Sequence, residues 1–442
     1  MNIAEKTAAE LVKEPLLRGD PMSGERYHDH AFMAQEWEAM WTKVWHIGAL
    51  TAQLENPGDV VTYDIGRESI LMTRGEDGVI RAYYNVCPHR GNRLVRVEEA
   101  HLPKIVCSYH GWTFDSKGQL RQAQNPEDFP QGNPCGKRNL KEIPCETWGG
   151  FVWFNMNPDA TSVRDYLGVV ADQLAVYDME NMVRVQYMTV EVECNWKVIQ
   201  DNFNESYHLP TLHTELNSMI EDDYRETVFE LYQSGHNRMQ MKGGLPAYSA
   251  GSQTIQEPLA EIMKEWELDP QDFVDKPREI RLALQQQKRR LGPKRGNVHY
   301  DKLSDDQLTD FHHYTLFPNL SLTMSAEGFQ ILRPQPHPKD PEKCYFDHWF
   351  FVPKVPGREE VAYSAAGIGG KLEPAEHDVF KHGEKSAGFV ADQDLSIAVG
   401  QQLGFHSRAY DDAYLSHQER RVRRFHEVLN DYLAKRRPAS TS

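Results

Sequence analysis

Cys87-Pro88-His89-Arg90-Gly91 and Cys107-Ser108-Tyr109-His110-Gly111-Trp112 decide the fold of the first half of this chain. Seventeen residues separate His89 from Cys107, and each stretch offers one thiolate and one imidazole, as C-x-H and C-x₂-H. A [2Fe–2S] cluster takes four thiolates, or two thiolates on one iron and two imidazoles on the other, which raises its potential. One residue of each type from each loop suits the second arrangement. Cys₂His₂ is also a common zinc set. Zinc fingers group the two Cys in one pair and the two His in the other, so the mixed pairs here favour the cluster. Pro88 fixes φ, and Gly91 and Gly111 permit positive φ, as tight ligand loops need.

Outward from these loops, residues 45–154 read as short strands split by turn residues, at 60–62, 69–73, 79–85, 105–108 and 150–154, the pattern of a small all-β domain. Before it, Phe32, Trp37, Met40, Trp41 and Val44 form one stripe of an amphipathic helix over 32–44. Beyond it, strands are expected at 182–193, 314–333 and 345–352. A charged helical excursion at 257–306 contains Lys288, Arg289 and Arg290, and reads either as a solvated insertion or as a lid. A last helix is expected over 411–433, and its run Arg420, Arg421, Arg423 and Arg424 is either a solvated face or a docking patch for an acidic electron donor.

The chain has 442 residues, enough for two or three domains, and a net charge of −16, which disfavours nucleic acid and anionic membrane surfaces as partners. Neither a signal-type apolar region nor a run of about eighteen apolar residues is present, so the expectation is a cytoplasmic, soluble protein. Six cysteines make no disulfide framework. Cys135, Cys145, Cys194 and Cys344 are expected as buried free thiols.

Asp201-Asn202-Phe203-Asn204-Glu205-Ser206-Tyr207-His208-Leu209-Pro210-Thr211-Leu212-His213 is the second decisive segment. A mononuclear non-haem iron that activates O₂ takes two His and one carboxylate on one face and leaves the opposite positions open. His208 and His213 would point about 140° apart on a regular helix. Pro210 disfavours helix at Leu209, so a distorted turn is expected to bring both rings together. Glu205 is expected to meet His208 across a helical turn. Phe203, Asn204, Leu209 and Leu216 are candidates for the lining of a substrate pocket.

Both motifs together resemble the ring-hydroxylating oxygenase family of Rieske type, in its terminal oxygenase (α) subunit. The stretch around Glu205 and His213 is similar to α-only members, among them betaine-type demethylases. The resemblance implies an α+β protein: a small all-β Rieske [2Fe–2S] domain at 45–155, and an α+β catalytic domain at 156–442. The latter has an antiparallel sheet flanked by helices, of helix-grip type, and 1–44 is a helical segment packing on it. It implies that Cys87, His89, Cys107 and His110 hold a Rieske cluster, and that His208 and His213 hold Fe(II) with a third, downstream carboxylate. Asp394, within Gln393-Asp394-Leu395 through Gln402-Leu403-Gly404, fits the family spacing, and Asp392 is its rival. Asn202 and Glu205 are the implied catalytic residues. In the family the Glu205 position links an iron-ligand His to a cluster His of the neighbouring chain, which implies a homotrimer. Most ring hydroxylases have Asp there, and Glu occurs in relatives that oxidise quaternary ammonium compounds. The implied activity hydroxylates, dihydroxylates or dealkylates a small organic substrate, aromatic or xenobiotic, or alternatively a quaternary ammonium or N-alkyl compound. Without a G-x-G-x-x-G fingerprint, electrons are expected from a separate NAD(P)H reductase, with or without a ferredoxin. A Rieske electron carrier without catalysis would need only about a hundred residues and no H-x₄-H.

Overall fold

The computed structural model describes residues 14–250, 255–361 and 370–435. It divides into two compact units: Ala34–Gly168 with residues 432–435, and residues 14–33 together with Val169–Asp431.

In the first unit, strands Glu99–His101, Asp59–Ile65, Glu68–Arg74, Ile80–Tyr84 and Glu142–Ile143 form one antiparallel sheet in that spatial order. Two three-stranded sheets complete it, one from Trp45–Leu50, Phe151–Asn155 and Cys145–Trp148, the other from Ile105–Val106, Thr113–Phe114 and Leu120–Gln122. Gly66 turns the first hairpin at φ +50°, and a Cβ there would meet the Trp37 ring at 2.1 Å. The sequence stripe around Trp37 is thus core: Trp37, Met40, Trp41 and Val44 are all buried. The helix expected over 32–44 is an α-helix over His30–Glu36 that continues as a π-helical turn over Trp37–Trp41.

In the second unit, eight strands run Val228–Leu231, Asn237–Met241, Phe311–Leu316, Leu320–Ser325, Gly328–Pro336, Cys344–Pro353, Met182–Val192 and Asp378–Lys381. Only the last pair is parallel. Gly328–Pro336 and Cys344–Pro353 are buried almost along their length, because elements cover both faces there. Helix Trp196–Phe203 packs on these two strands and against helix Phe389–Gly404, the gripped arrangement of an α+β fold.

Four local expectations change. The last helix starts at Arg420, not 411, because the Glu419 carboxylate accepts from the Ser416 N–H at 2.7 Å and fixes the turn before it. Arg421 and Arg424 are 0% and 4% exposed, so they belong to neither a solvated face nor a docking patch. Arg421 donates to the side chains of Asn237 and Thr315 at 2.5 and 3.0 Å. In the 257–306 excursion, Lys288 is buried and donates to the Leu308 carbonyl, and Arg289 donates to the Tyr300 and Leu303 carbonyls. Lys288 also donates to Glu327 at 2.5 Å and so ties the insertion to the body, while the Arg289 bonds stay within the excursion. Cys194 and Cys344 are buried as expected, whereas Cys135 and Cys145 are half-buried.

Candidate functional site

The two cluster-type loops are built alike. Each Cys carbonyl accepts from the glycine four residues on, Gly91 to Cys87 at 3.0 Å and Gly111 to Cys107 at 2.9 Å. Each Cys N–H in turn donates to the residue after that glycine, Asn92 or Trp112, at 2.8 Å. Both glycines sit at positive φ, +75° and +68°. The geometry drives the thiols inward, where Cys87 and Cys107 join a core with Leu94, Val95, Ile105, Trp112 and Phe114. The imidazoles stay half-buried, with ring centroids 4.8 Å apart. Trp112 stacks on His89 at 4.6 Å, while Tyr109 lies against His110 but is 54% exposed.

Burial pushes the Cys87 thiol up to about 11. Burial acts the same way on Cys107, but the N–H groups of Tyr109 and His110, with further bonds, outweigh it and hold that thiol below its ordinary value. His110 Nδ1 is buried without a hydrogen-bond partner among the described residues. Two inward thiols, a neighbouring His89 and an orphaned imidazole nitrogen fit a two-Cys, two-His [2Fe–2S] cluster.

The second constellation lies in the other unit. Helix Trp196–Phe203 ends at Asn204, and a one-turn helix Leu209–Leu212 follows. Pro210 sits in the first turn of that helix, where its missing N–H costs nothing, so it starts the helix and does not break it. The departure comes at His213, with φ −113° and ψ 53°. His208 and His213 thereby flank one turn, with ring centroids 5.1 Å apart. Glu205 reaches His208 by a route other than a helical turn. Its Oε2 accepts from the backbone N–H groups of Tyr207 and His208, and its Oε1 accepts from His208 Nδ1 at 2.6 Å.

Helix Phe389–Gly404 brings the carboxylate. Asp394 Oδ1 lies 2.9 Å from His213 Nε2 and 3.7 Å from His208 Nε2. One donor atom from each of the three residues falls within 4.8 Å of the others, as a bound metal ion needs. Asp392 points elsewhere, accepting from Ser386 and from the Ala387 N–H at 2.8 Å. Gln393 went unassigned in the sequence, yet its carbonyl oxygen accepts from His213 Nδ1 at 2.6 Å. Its adjacency to Asp394 was the available signal. Burial lowers the proton affinity of His213, and the Asp394 carboxylate outweighs that and raises it overall, so the face attracts a cation. Two Nε2 atoms and one carboxylate, each imidazole oriented from behind at Nδ1, fit the two-His, one-carboxylate set.

These residues wall a cavity of about 730 Å³. Asn202, Phe203, Leu209 and Leu216 line it, and the sheet contributes Met239, His313, Thr323, Gln330 and His348. Asn202 Nδ2 is buried there without a partner among the described residues. Asn204 does not line it; fully buried, it accepts from Thr315 at 2.8 Å. None of the described residues of 257–306 lines it either.

A family model for the ring hydroxylating alpha subunit (catalytic domain) matches residues 179–435, and one for the Rieske [2Fe-2S] domain matches residues 44–141. The carnitine monooxygenase oxygenase subunit of Escherichia coli (strain K12) is 37% identical over 199 residues, 45% of this chain and 53% of that protein. The chain spans about half the length of the curated relatives it matches. A quaternary ammonium Rieske monooxygenase, whose structure is described for carnitine oxidation by gut microbiota and inter-subunit electron transfer, superposes with a TM-score of 0.65 at 18% identity, over 93% of this chain and 95% of that one. Naphthalene 1,2-dioxygenase with indole bound in the active site gives a TM-score of 0.65 at 20% identity, over 96% and 94%. Such identities show a shared fold. The two family matches show more: the chain belongs to the ring hydroxylating alpha subunit family, with a Rieske [2Fe–2S] domain ahead of its catalytic domain, and its cofactors are a Rieske cluster and a mononuclear iron.

Proposed function

We propose that this chain is the oxygenase component of a Rieske non-haem iron oxygenase. It uses O₂ and electrons from a separate NAD(P)H reductase, with or without a ferredoxin, to hydroxylate, dihydroxylate or oxidatively dealkylate a small organic substrate. The observation that carries this reading is the convergence of His208 Nε2, His213 Nε2 and Asp394 Oδ1 on the wall of the cavity. In this reading His208, His213 and Asp394 hold the iron, and Cys87, His89, Cys107 and His110 hold the cluster. Bound there, the cluster supplies electrons one at a time and the iron supplies a site for O₂ activation.

The remaining work falls to the chain itself. Glu205 and Gln393 keep the proton of each imidazole on Nδ1, so both Nε2 lone pairs face Asp394. Phe203, Leu209, Leu216 and Met239 give the cavity an apolar wall that excludes water and packs a substrate close to the ligand triad. Asn202 offers an unpartnered amide N–H to whatever enters. In this reading Glu205, hydrogen-bonded to His208, also accepts from a cluster His of a neighbouring chain in a homotrimer, and so links the two centres.

A second reading, oxidation of a quaternary ammonium or N-alkyl compound, draws support from Glu205 and from the Escherichia coli relative. Both readings expect three irons per chain by elemental analysis. Product analysis with a generic reductase and a panel of arenes, N-alkyl compounds and betaines separates them. Two irons per chain and no O₂-dependent product would leave only an electron carrier.

A further inference from the structure

The sheet wall of the cavity carries polar side chains where an apolar lining would suffice. Gln330 and His348 lie in the central strands Gly328–Pro336 and Cys344–Pro353, and both line the cavity. His348 Nδ1 lies 2.9 Å from the Ala387 carbonyl oxygen, which can only accept. The proton therefore sits on Nδ1. The ring is 7% exposed, and burial keeps it neutral; the carboxylates of Asp394 and Asp392 act the other way and are outweighed. In a neutral ring protonated at Nδ1, Nε2 is an acceptor. It faces the Gln330 amide at 3.1 Å, in an orientation that pairs it with the amide oxygen. Two acceptors cannot bond, and the two ends of an amide are interchangeable by a flip. The hydrogen-bond logic thus turns the Gln330 NH₂ toward His348. Its carbonyl oxygen, with no other partner among the described residues, then faces the cavity.

Charge narrows the ligand further. No Lys or Arg stands among the described residues that line the cavity. Glu376 and Asp378 do line it, and Asp378 is answered by Lys385 at 2.7 Å. A carboxylate entering this space would meet apolar side chains and acidic groups, with no Lys or Arg among the described lining residues to offset its desolvation.

We propose that the Gln330 carbonyl, held by His348, recognises a hydroxyl or N–H donor on a neutral, largely apolar substrate, and that the cavity rejects carboxylates such as carnitine or betaine. This rests on the reading of the cavity as the substrate site. A donor that reaches this fixed, half-buried acceptor gains about 1–1.5 kcal/mol over an analogue that leaves the acceptor empty, close to a tenfold preference.

Equilibrium binding to the holoprotein, followed calorimetrically, tests it with three probes of one shape: 2-naphthol, 2-methoxynaphthalene and 2-naphthoate. The expected result is that 2-naphthol binds about tenfold tighter than 2-methoxynaphthalene, and 2-naphthoate weakest of the three. Gln330→Met keeps the length of the side chain and removes its acceptor. It should erase the 2-naphthol preference while leaving 2-methoxynaphthalene within about twofold. His348→Phe, which frees Gln330 to turn, should shrink the preference without abolishing binding; circular dichroism establishes that each variant is folded. Equal binding of 2-naphthol and 2-methoxynaphthalene by the wild type would overturn the proposal. So would tightest binding of 2-naphthoate, no binding of any probe, or a Gln330→Met variant that weakens all three alike. Binding is read without turnover. Probes that bind as expected yet give no O₂-dependent product would count against the oxygenase reading and leave this one standing.

Discussion

The His213 ring is steered from behind, its Nδ1–H donating to the Gln393 carbonyl at 2.6 Å so that Nε2 faces Asp394. Partners of this kind typically change metal affinity by about 10–100-fold when removed. Gln393→Leu should weaken Fe(II) binding at the mononuclear site by that order in a metal titration, with the visible spectrum of the cluster unchanged. Asp394 and Asp392, two residues apart, separate in the same assay. Asp394→Ala should empty the mononuclear site and abolish turnover. Asp392→Ala removes only the bonds from Ser386 and Ala387, and should keep its iron while losing about 1 kcal/mol of stability at the start of the helix. An iron-free Asp392→Ala variant would mean that the carboxylate ligand lies two positions away from the one the geometry selects.

Among elements, the terminal helix Arg420–Leu433 departs most from a simple amphipathic reading. Its start is set by Glu419, whose carboxylate accepts from the Ser416 N–H at 2.7 Å, so Glu419→Ala should lower stability by about 1 kcal/mol, seen as a small drop in Tm. Arg421 points inward among the Asn237 and Thr315 oxygens and the Phe203 and His313 carbonyls. Arg421→Glu sets a carboxylate against these acceptors and should cost more than about 3 kcal/mol in a denaturation experiment. Arg420→Glu, on the half-exposed side, should cost less than about 1 kcal/mol. Equal tolerance of both reversals would show that the helix presents its basic side to solvent. The sequence could not sort these arginines, because helical periodicity marks a face by its apolar residues. Here charged and apolar residues are buried together.

At the scale of the whole molecule, the proposed route of electrons makes Glu205 the decisive position. Glu205→Gln keeps the shape of the side chain and removes the charge that His208 Nδ1 meets. Both metal sites should stay loaded and the cluster should be reduced normally. Delivery of electrons to the mononuclear site, followed by stopped-flow reoxidation, should fall by orders of magnitude. Sedimentation should give the mass of three chains. A monomer that turns over, or a Gln variant near the wild-type rate, would rule out the route through a neighbouring chain.

The sequence by itself determined the two ligand motifs and the class of fold around them. Ligand type and spacing are local properties: mixed Cys/His pairs in glycine-bounded loops, and two histidines flanking a proline turn, are legible without any distant contact. The short strands near 60–62, 69–73 and 150–154 were equally legible, because alternation and turn residues lie within a few positions of one another. Tertiary structure decided everything that depends on separate parts of the chain meeting. It placed Asp394 and not Asp392 opposite the histidines, since two positions along a helix differ by about 200° of rotation and only packing fixes which one faces inward. It put Gln393 behind His213, 180 positions away along the chain, and paired His348 with Gln330 across neighbouring strands. These last two residues left only a faint trace in the sequence, polar side chains among others in strands that also carry Arg333, Gln335 and Asp347. Burial gives such a residue its meaning, because a polar group withdrawn from water must find a partner, and the fold alone supplies it.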